Sequence, residues 1–155
     1  MLGAGVLFHD ETHVLGGYQP KIGFISGIGG KMDPSDINIK GTALREMVEE
    51  LFGYTNTAPI VDSLLSIQEE KILQNGTYSI YVFSIYQLYQ MLHVISTFHI
   101  QSPYYDIYPI TIQDLIYKRK YMNQEVTKLY LLPHTRTQGL SLEFIKDIQS
   151  IHTEQ

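Results

Sequence analysis

Residues 42–52, TALREMVEELF, admit little besides a helix laid against an apolar surface. Leu44, Val48 and Leu51 recur at i, i+4 and i+7, while Glu46, Glu49 and Glu50 gather on the other side within an arc of roughly 100°. Gly53 follows where a left-handed cap is expected. A helix divided this way needs something to lie on, and the flanking segments supply strands. GAGVLFH and THVLGGYQ are two β-segments around the polar turn His9-Asp10-Glu11, and GFISGIGG is a third ending in a glycine-rich loop. Between that loop and the helix, Pro34, Ser35 and Asp36 are turn formers, and Asn38 and Gly41 predict a helix that starts no earlier than Thr42.

The downstream half continues the alternation. Residues 63–86 predict a hairpin, with Asn75-Gly76 as a type I′ turn and a β-branched, aromatic strand from Thr77 to Tyr86. Gln87 to His99 places Leu88, Leu92, Ile95 and His99 on one helical stripe. A proline-bounded loop, a short helix over 111–122 and a late strand TKLYLLP follow. Ser141 is the expected N-cap of a closing helix, LEFIKDIQSIH. No repeat or linker interrupts the chain, so residues 1–155 are expected to form one α/β domain.

Composition limits the function classes. At 155 residues, 44% hydrophobic and 17% charged, the chain has the profile of a folded domain. It has no cysteine, which removes disulfides and thiolate metal sites and fits a reducing compartment. The apolar start lacks a basic n-region and ends at His9, so neither a signal peptide nor a membrane span is expected, and a soluble cytoplasmic protein is. A formal net charge of −5 disfavours broad binding to long RNA or DNA. Nucleotides stay open, because metal ions can sit between carboxylates and phosphates.

Three carboxylates on one helical turn repel one another and raise each other's pKa unless a cation intervenes. Mg²⁺, a hard ion that takes carboxylates and backbone carbonyls, is the natural candidate, and Gly29-Gly30 would let a backbone carbonyl approach. The bland alternative is a solvated acidic face. The stretch from Gly29 to Gly53, GGKMDPSD followed by REMVEELFG, resembles the signature of the Nudix hydrolases: a glycine pair, a turn with an acidic residue, Arg-Glu-apolar-X-Glu-Glu, and a glycine. It departs from that pattern twice. Eight residues separate Asp36 from Arg45 where the family has seven, and two separate Glu50 from Gly53 where the family has one.

The resemblance implies an α/β/α sandwich around a mixed sheet, and hydrolysis of a nucleoside diphosphate linked to another group with bound Mg²⁺ or Mn²⁺. It implies that Glu46, Glu49 and Glu50 bind metal or activate water, and that Arg45 orients them. It also implies that Gly30, or Gly29, offers a carbonyl to the metal and that Lys31 touches the diphosphate. The general base is left among the helix glutamates, Glu69, Glu70 and Asp106. Tyr18, Tyr104 and Tyr105 are candidate nucleobase platforms. Lys118-Arg119-Lys120-Tyr121 is a thin basic patch, and His9 with His13 has ligand-like spacing across a turn. The expected activity is that of a pyrophosphohydrolase on a (d)NTP, nucleotide sugar or dinucleoside polyphosphate. The alternatives are removal of the mRNA 5′ cap and a non-catalytic nucleotide-binding module. A homodimer is compatible with either.

Overall fold

Strand β1 (Gly3–His9) is buried along almost its whole length, so both faces of the sheet at its centre must be covered. The computed structural model, which describes residues 2–152, shows how. β1 pairs in parallel with β6 (Tyr78–Ser84), from Gly3↔Tyr78 to His9↔Ser84. On its other edge it meets two antiparallel partners in succession. β4 (Ile28–Lys31) pairs with residues Gly3 to Val6, and β2 (His13–Gln19) takes over at His9↔Val14. β3 (Phe24–Ser26) and β7 (Lys128–Pro133) both pair antiparallel with β2, and β5 (Lys71–Asn75) pairs with β6. The result is a seven-stranded mixed sheet.

Four helices cover one face: α1 (Ile39–Phe52), α2 (Ala58–Leu64), α3 (Ile85–Ser96) and α4 (Ile112–Tyr117). Their apolar stripes pack with Ala4, Val6 and Phe8 of β1 and Phe83 of β6. The alternate residues Leu7, Ile80 and Val82 point the other way, against Phe144, Ile148 and Ile151 of α5 (Leu142–Ile151). Strand alternation thus makes two cores, and the architecture is an α/β/α sandwich. No helix among the described residues is long and apolar enough to cross a membrane.

Several local expectations give way to tertiary pairing. GFISGIGG is two strands, because the chain leaves β2 and joins β1, and Gly27 is the joint. The hairpin loop is Gly76-Thr77, closed by the pair Asn75↔Tyr78. Only Gly76 has positive φ (62°), the signature of a type II′ turn and not of type I′. Residues 58–64, partly assigned to a strand, form α2 with Pro59 in its first turn. Ser84 ends β6 and starts α3 through a capping box with Gln87, two residues before the expected break.

Helix α1 begins three residues earlier than predicted, since the Asn38 side chain accepts the Gly41 N–H (2.7 Å) and caps it. Asn38→Ala is expected to cost about 1 kcal/mol. The urea midpoint should fall with an unchanged slope.

Candidate functional site

The site is assembled where β4 ends and α1 begins. Asp36 lies in the connecting turn with its side chain only 3% exposed. Its carboxylate accepts hydrogen bonds from the Asp33 N–H (2.8 Å), Thr42 Oγ1 (2.7 Å) and Arg45 Nε (2.7 Å). Burial alone would raise its pKa. The Arg45 bond, then those of Asp33 and Thr42, outweigh burial and hold it below the ordinary carboxylate range. Asp36 and Arg45, with eight residues between them in the sequence, are therefore in direct side-chain contact.

Arg45 spreads its guanidinium across three elements. Nη2 donates to the Lys31 carbonyl at the end of β4 (2.8 Å), and Nη1 donates to Glu46 (2.9 Å) and Glu49 (3.0 Å) on its own helix. The pairing with Asp36 and Glu46 raises the guanidinium's pKa further still, so the fork is permanently charged.

Glu46 packs directly against Gly30. A Cβ at Gly30 would lie 2.4 Å from the Glu46 carboxyl carbon, so any side chain there would push the Glu46 carboxylate out of its present place. Burial raises the Glu46 pKa, with Arg45 opposing and Glu49 and Glu125 adding to the rise. Glu50, one turn on, is 5% exposed, and among the described residues no cation pairs with its carboxylate, whose oxygens make no hydrogen bond of good geometry and meet only the Gly29 amide and the Glu46 carboxyl nearby. Burial, then the charges of Glu125 and Glu46, push its pKa up to about 9, with the Gly29 amide only partly offsetting them. Buried carboxylates are normally paired, so an acid without a counter-charge here is the unusual group of the cluster. Among the described residues no group of three or more His, Cys, Asp or Glu side chains is arranged so that it could hold a metal ion by itself. Hard oxygen donors, two buried oxygens without a counter-charge and a glycine-walled approach nevertheless suit a small divalent ion completed by backbone oxygen and water.

Tyr78 is the wall on the far side of this cluster. A Cβ at Gly29 would lie 2.1 Å from its hydroxyl, and one at Gly5 would lie 3.0 Å away. Burial raises the phenol's pKa, and the charges of Glu50, Glu46 and Asp147 raise it further. Beyond Tyr78 a cleft of about 420 Å³ opens between the sheet and α5. Ile22, Ile28, Ile80 and Phe144 line it, with Asp147 and Glu143 at its α5 side.

Other candidate residues are placed elsewhere. The Lys31 side chain is exposed beside the cluster. Tyr18 is half-buried on β2 and packs with the α5-side core. Tyr105 is 4% exposed and its hydroxyl donates to the Leu115 carbonyl (2.6 Å), so it is a core residue and not a stacking platform. Tyr104 is half-buried, with its ring 4.8 Å from the Arg119 guanidinium carbon. Both tyrosines sit at the C-terminal end of α1 because the loop carrying them packs over Gly53.

The basic patch comes apart. Arg119 turns inward and donates to the carbonyls of Glu50 (2.7 Å), Leu51 (2.7 Å) and Val126 (2.8 Å). It thereby caps α1 and fixes the loop that carries Glu125. Lys118 and Lys120 pair with Asp114 and Asp106. Glu69 pairs with Lys40 and Glu70 with His9, so these carboxylates, like Asp106, are engaged away from the cluster. His13 bonds Thr12, which separates it from His9. Tyr78, expected only as a strand residue, borders the site with Asp147 beyond it, and exposed Glu125 bears on the cluster through its charge alone. Only fold topology brings them there.

No known protein-family model matches the chain, and no curated protein is significantly similar to it.

Proposed function

We propose that this chain is a Nudix-type pyrophosphohydrolase that cleaves a phosphoanhydride bond in a nucleotide or nucleotide derivative. The observation that carries the proposal is Glu50, a buried carboxylate without a counter-charge among the described residues, beside Glu46 and the Gly29-Gly30 backbone. The signature-like order of residues in the sequence supports the same reading. Glu46, Glu49, Glu50 and the Gly30 carbonyl would hold Mg²⁺ or Mn²⁺. Bound there, such ions neutralise phosphate oxygens and lower the pKa of a coordinated water.

The chain's own groups do the rest. Arg45 keeps Glu46 and Glu49 on one side of the helix and ties them to the β4 backbone. Exposed Lys31 offers a point charge to the diphosphate. The candidates for taking the attacking water's proton are the helix glutamates and exposed Glu125, whose charge acts on Glu46 and Glu50. Water adds to phosphorus, the bridging P–O bond breaks, and the proton passes to carboxylate.

A panel of (d)NTPs, nucleotide sugars and dinucleoside polyphosphates, with products identified by mass spectrometry, tests the proposal. Turnover should require Mg²⁺ or Mn²⁺, and Glu49→Gln should lower kcat by at least about 100-fold. Wild-type rates in Glu49→Gln, or no product from any substrate with either metal, would remove it. Turnover on capped RNA that weakens steeply with salt would move the substrate class to RNA.

A further inference from the structure

Asp147 stands on α5 with no hydrogen bond or ion pair from any described residue, and its carboxyl is half-buried in the wall of the cleft beside Tyr78. Ile22, Ile28, Ile80 and Phe144 give the cleft an apolar lining of the kind that takes a flat ring, with Asn75 and Glu143 as further polar residues. The hydroxyls of Ser26 and Ser141 face each other at 3.2 Å, and Ser141 also caps α5. Asp147 is thus an uncommitted acceptor set into an apolar slot. Burial, and then the charge of Glu143, push its pKa up to about 6, as befits a carboxylate without a counter-charge.

We propose that this cleft is the base-binding subsite and that Asp147 selects a purine with two adjacent N–H donors, the guanine type. The inference rests on the hydrolase reading for its nucleotide, and on the cleft alone for its choice of base. An ionised carboxylate is acceptor-only, with two oxygens side by side. Guanine presents N1–H and an exocyclic N–H on one edge and can satisfy both. Adenine places an acceptor beside its amino group and leaves one oxygen unpaired, and hypoxanthine lacks the second donor. Tyr78 joins the subsite to the carboxylate cluster, since its ring lines the cleft while its hydroxyl packs against Gly5 and Gly29. A nucleotide would lie with its base in the cleft and its phosphates toward Glu46 and Glu50.

Nucleosides test this without involving phosphate or metal. Guanosine, inosine and adenosine are titrated into the full chain in EDTA, with backbone amide shifts of Ile80 and Phe144 as the readout. Guanosine should bind at least about tenfold tighter than either competitor. Asp147→Asn keeps the shape and should lose that preference. Equal binding of the three nucleosides, or an unchanged preference in Asp147→Asn, would overturn the assignment. So would occupation of the cleft by tetramethylammonium and not by nucleosides, which would make it a cation cage. Nucleotide hydrolysis that persists through any of those results leaves the phosphoanhydride reading standing. Guanosine selectivity in a chain that hydrolyses nothing separates the two in the other direction.

Discussion

Glu50→Gln is expected to yield a protein that resists unfolding better than the wild type and has lost most of its metal-dependent turnover. The two effects have one cause. The wild-type carboxyl is 5% exposed, has no counter-charge among the described residues and lies near the charges of Glu125 and Glu46. In the unfolded chain it ionises near its ordinary value of 4.5, whereas in the folded chain it keeps its proton up to about 9. Below the lower value both states are protonated and Glu50 has no effect. As pH rises through that window the unfolded state loses its proton and the folded state does not, so stability falls progressively.

Glutamine has the same shape and no charge. Its advantage should be absent at pH 4, grow with pH and reach a few kcal/mol at pH 8 to 9. Thermal unfolding in EDTA across this range measures it directly. A Gln variant less stable than the wild type at pH 8 would show that the carboxylate has a partner after all. Addition of millimolar Mg²⁺ or Mn²⁺ should raise the wild-type Tm and leave the variant nearly unmoved, because binding to the folded state alone stabilises it. Under the proposed function kcat should fall by about 100- to 1000-fold. The combination, more stable and less active, is the mark of a group retained for a ligand and not for the fold.

Glu50 also shows which parts of the site were legible in the sequence. The i, i+3, i+4 grouping of Glu46, Glu49 and Glu50 follows from helical period alone, and so does the burial of Leu44, Val48 and Leu51. What the grouping hid is that position 50 continues the stripe Ala43 and Met47, both fully buried. A closer count along that stripe would have marked Glu50 as inward-facing. Asp147 is a parallel case, one residue before the buried Ile148 and three after Phe144.

Other features were beyond local pattern. The split of GFISGIGG into β3 and β4 depends on which strand each half pairs with, and nothing in the alternation encodes that. Arg119 belongs to a run of basic residues that looks solvated, yet its guanidinium finds three carbonyls contributed by α1 and a later loop. Glu125, held by the same latch, carries no periodic signal of its own. The chemistry of the helix face was local, while the elements that close around it were set by topology.

Arg45→Ala should be the most damaging single substitution at the site for folding, whatever the chain acts on. The side chain is 14% exposed, and Asp36 beneath it is 3% exposed. Removing the guanidinium strands Asp36 as a buried charge with only the Asp33 amide and Thr42 hydroxyl left to it. It also frees the Lys31 carbonyl and releases Glu46 and Glu49 to repel each other. Loss of one partner from a buried pair costs about 3–5 kcal/mol, mainly through the charge left behind. Two companions separate the causes. Arg45→Lys keeps a cation but cannot reach Asp36, Glu46 and Lys31 at once, so it should recover only part of the loss. Adding Asp36→Asn to Arg45→Ala removes the stranded charge and should restore stability relative to Arg45→Ala alone. The pH dependence has the opposite sign to that of Glu50. Asp36 has a lowered pKa in the fold, so its contribution is present above its ordinary value of 3.8 and is lost as pH falls below it. Urea unfolding at pH 7 and pH 3 should show the gap between wild type and Arg45→Ala narrowing at the lower pH. A gap that stays constant would place the cost in lost packing of the arginine stem and not in its charge.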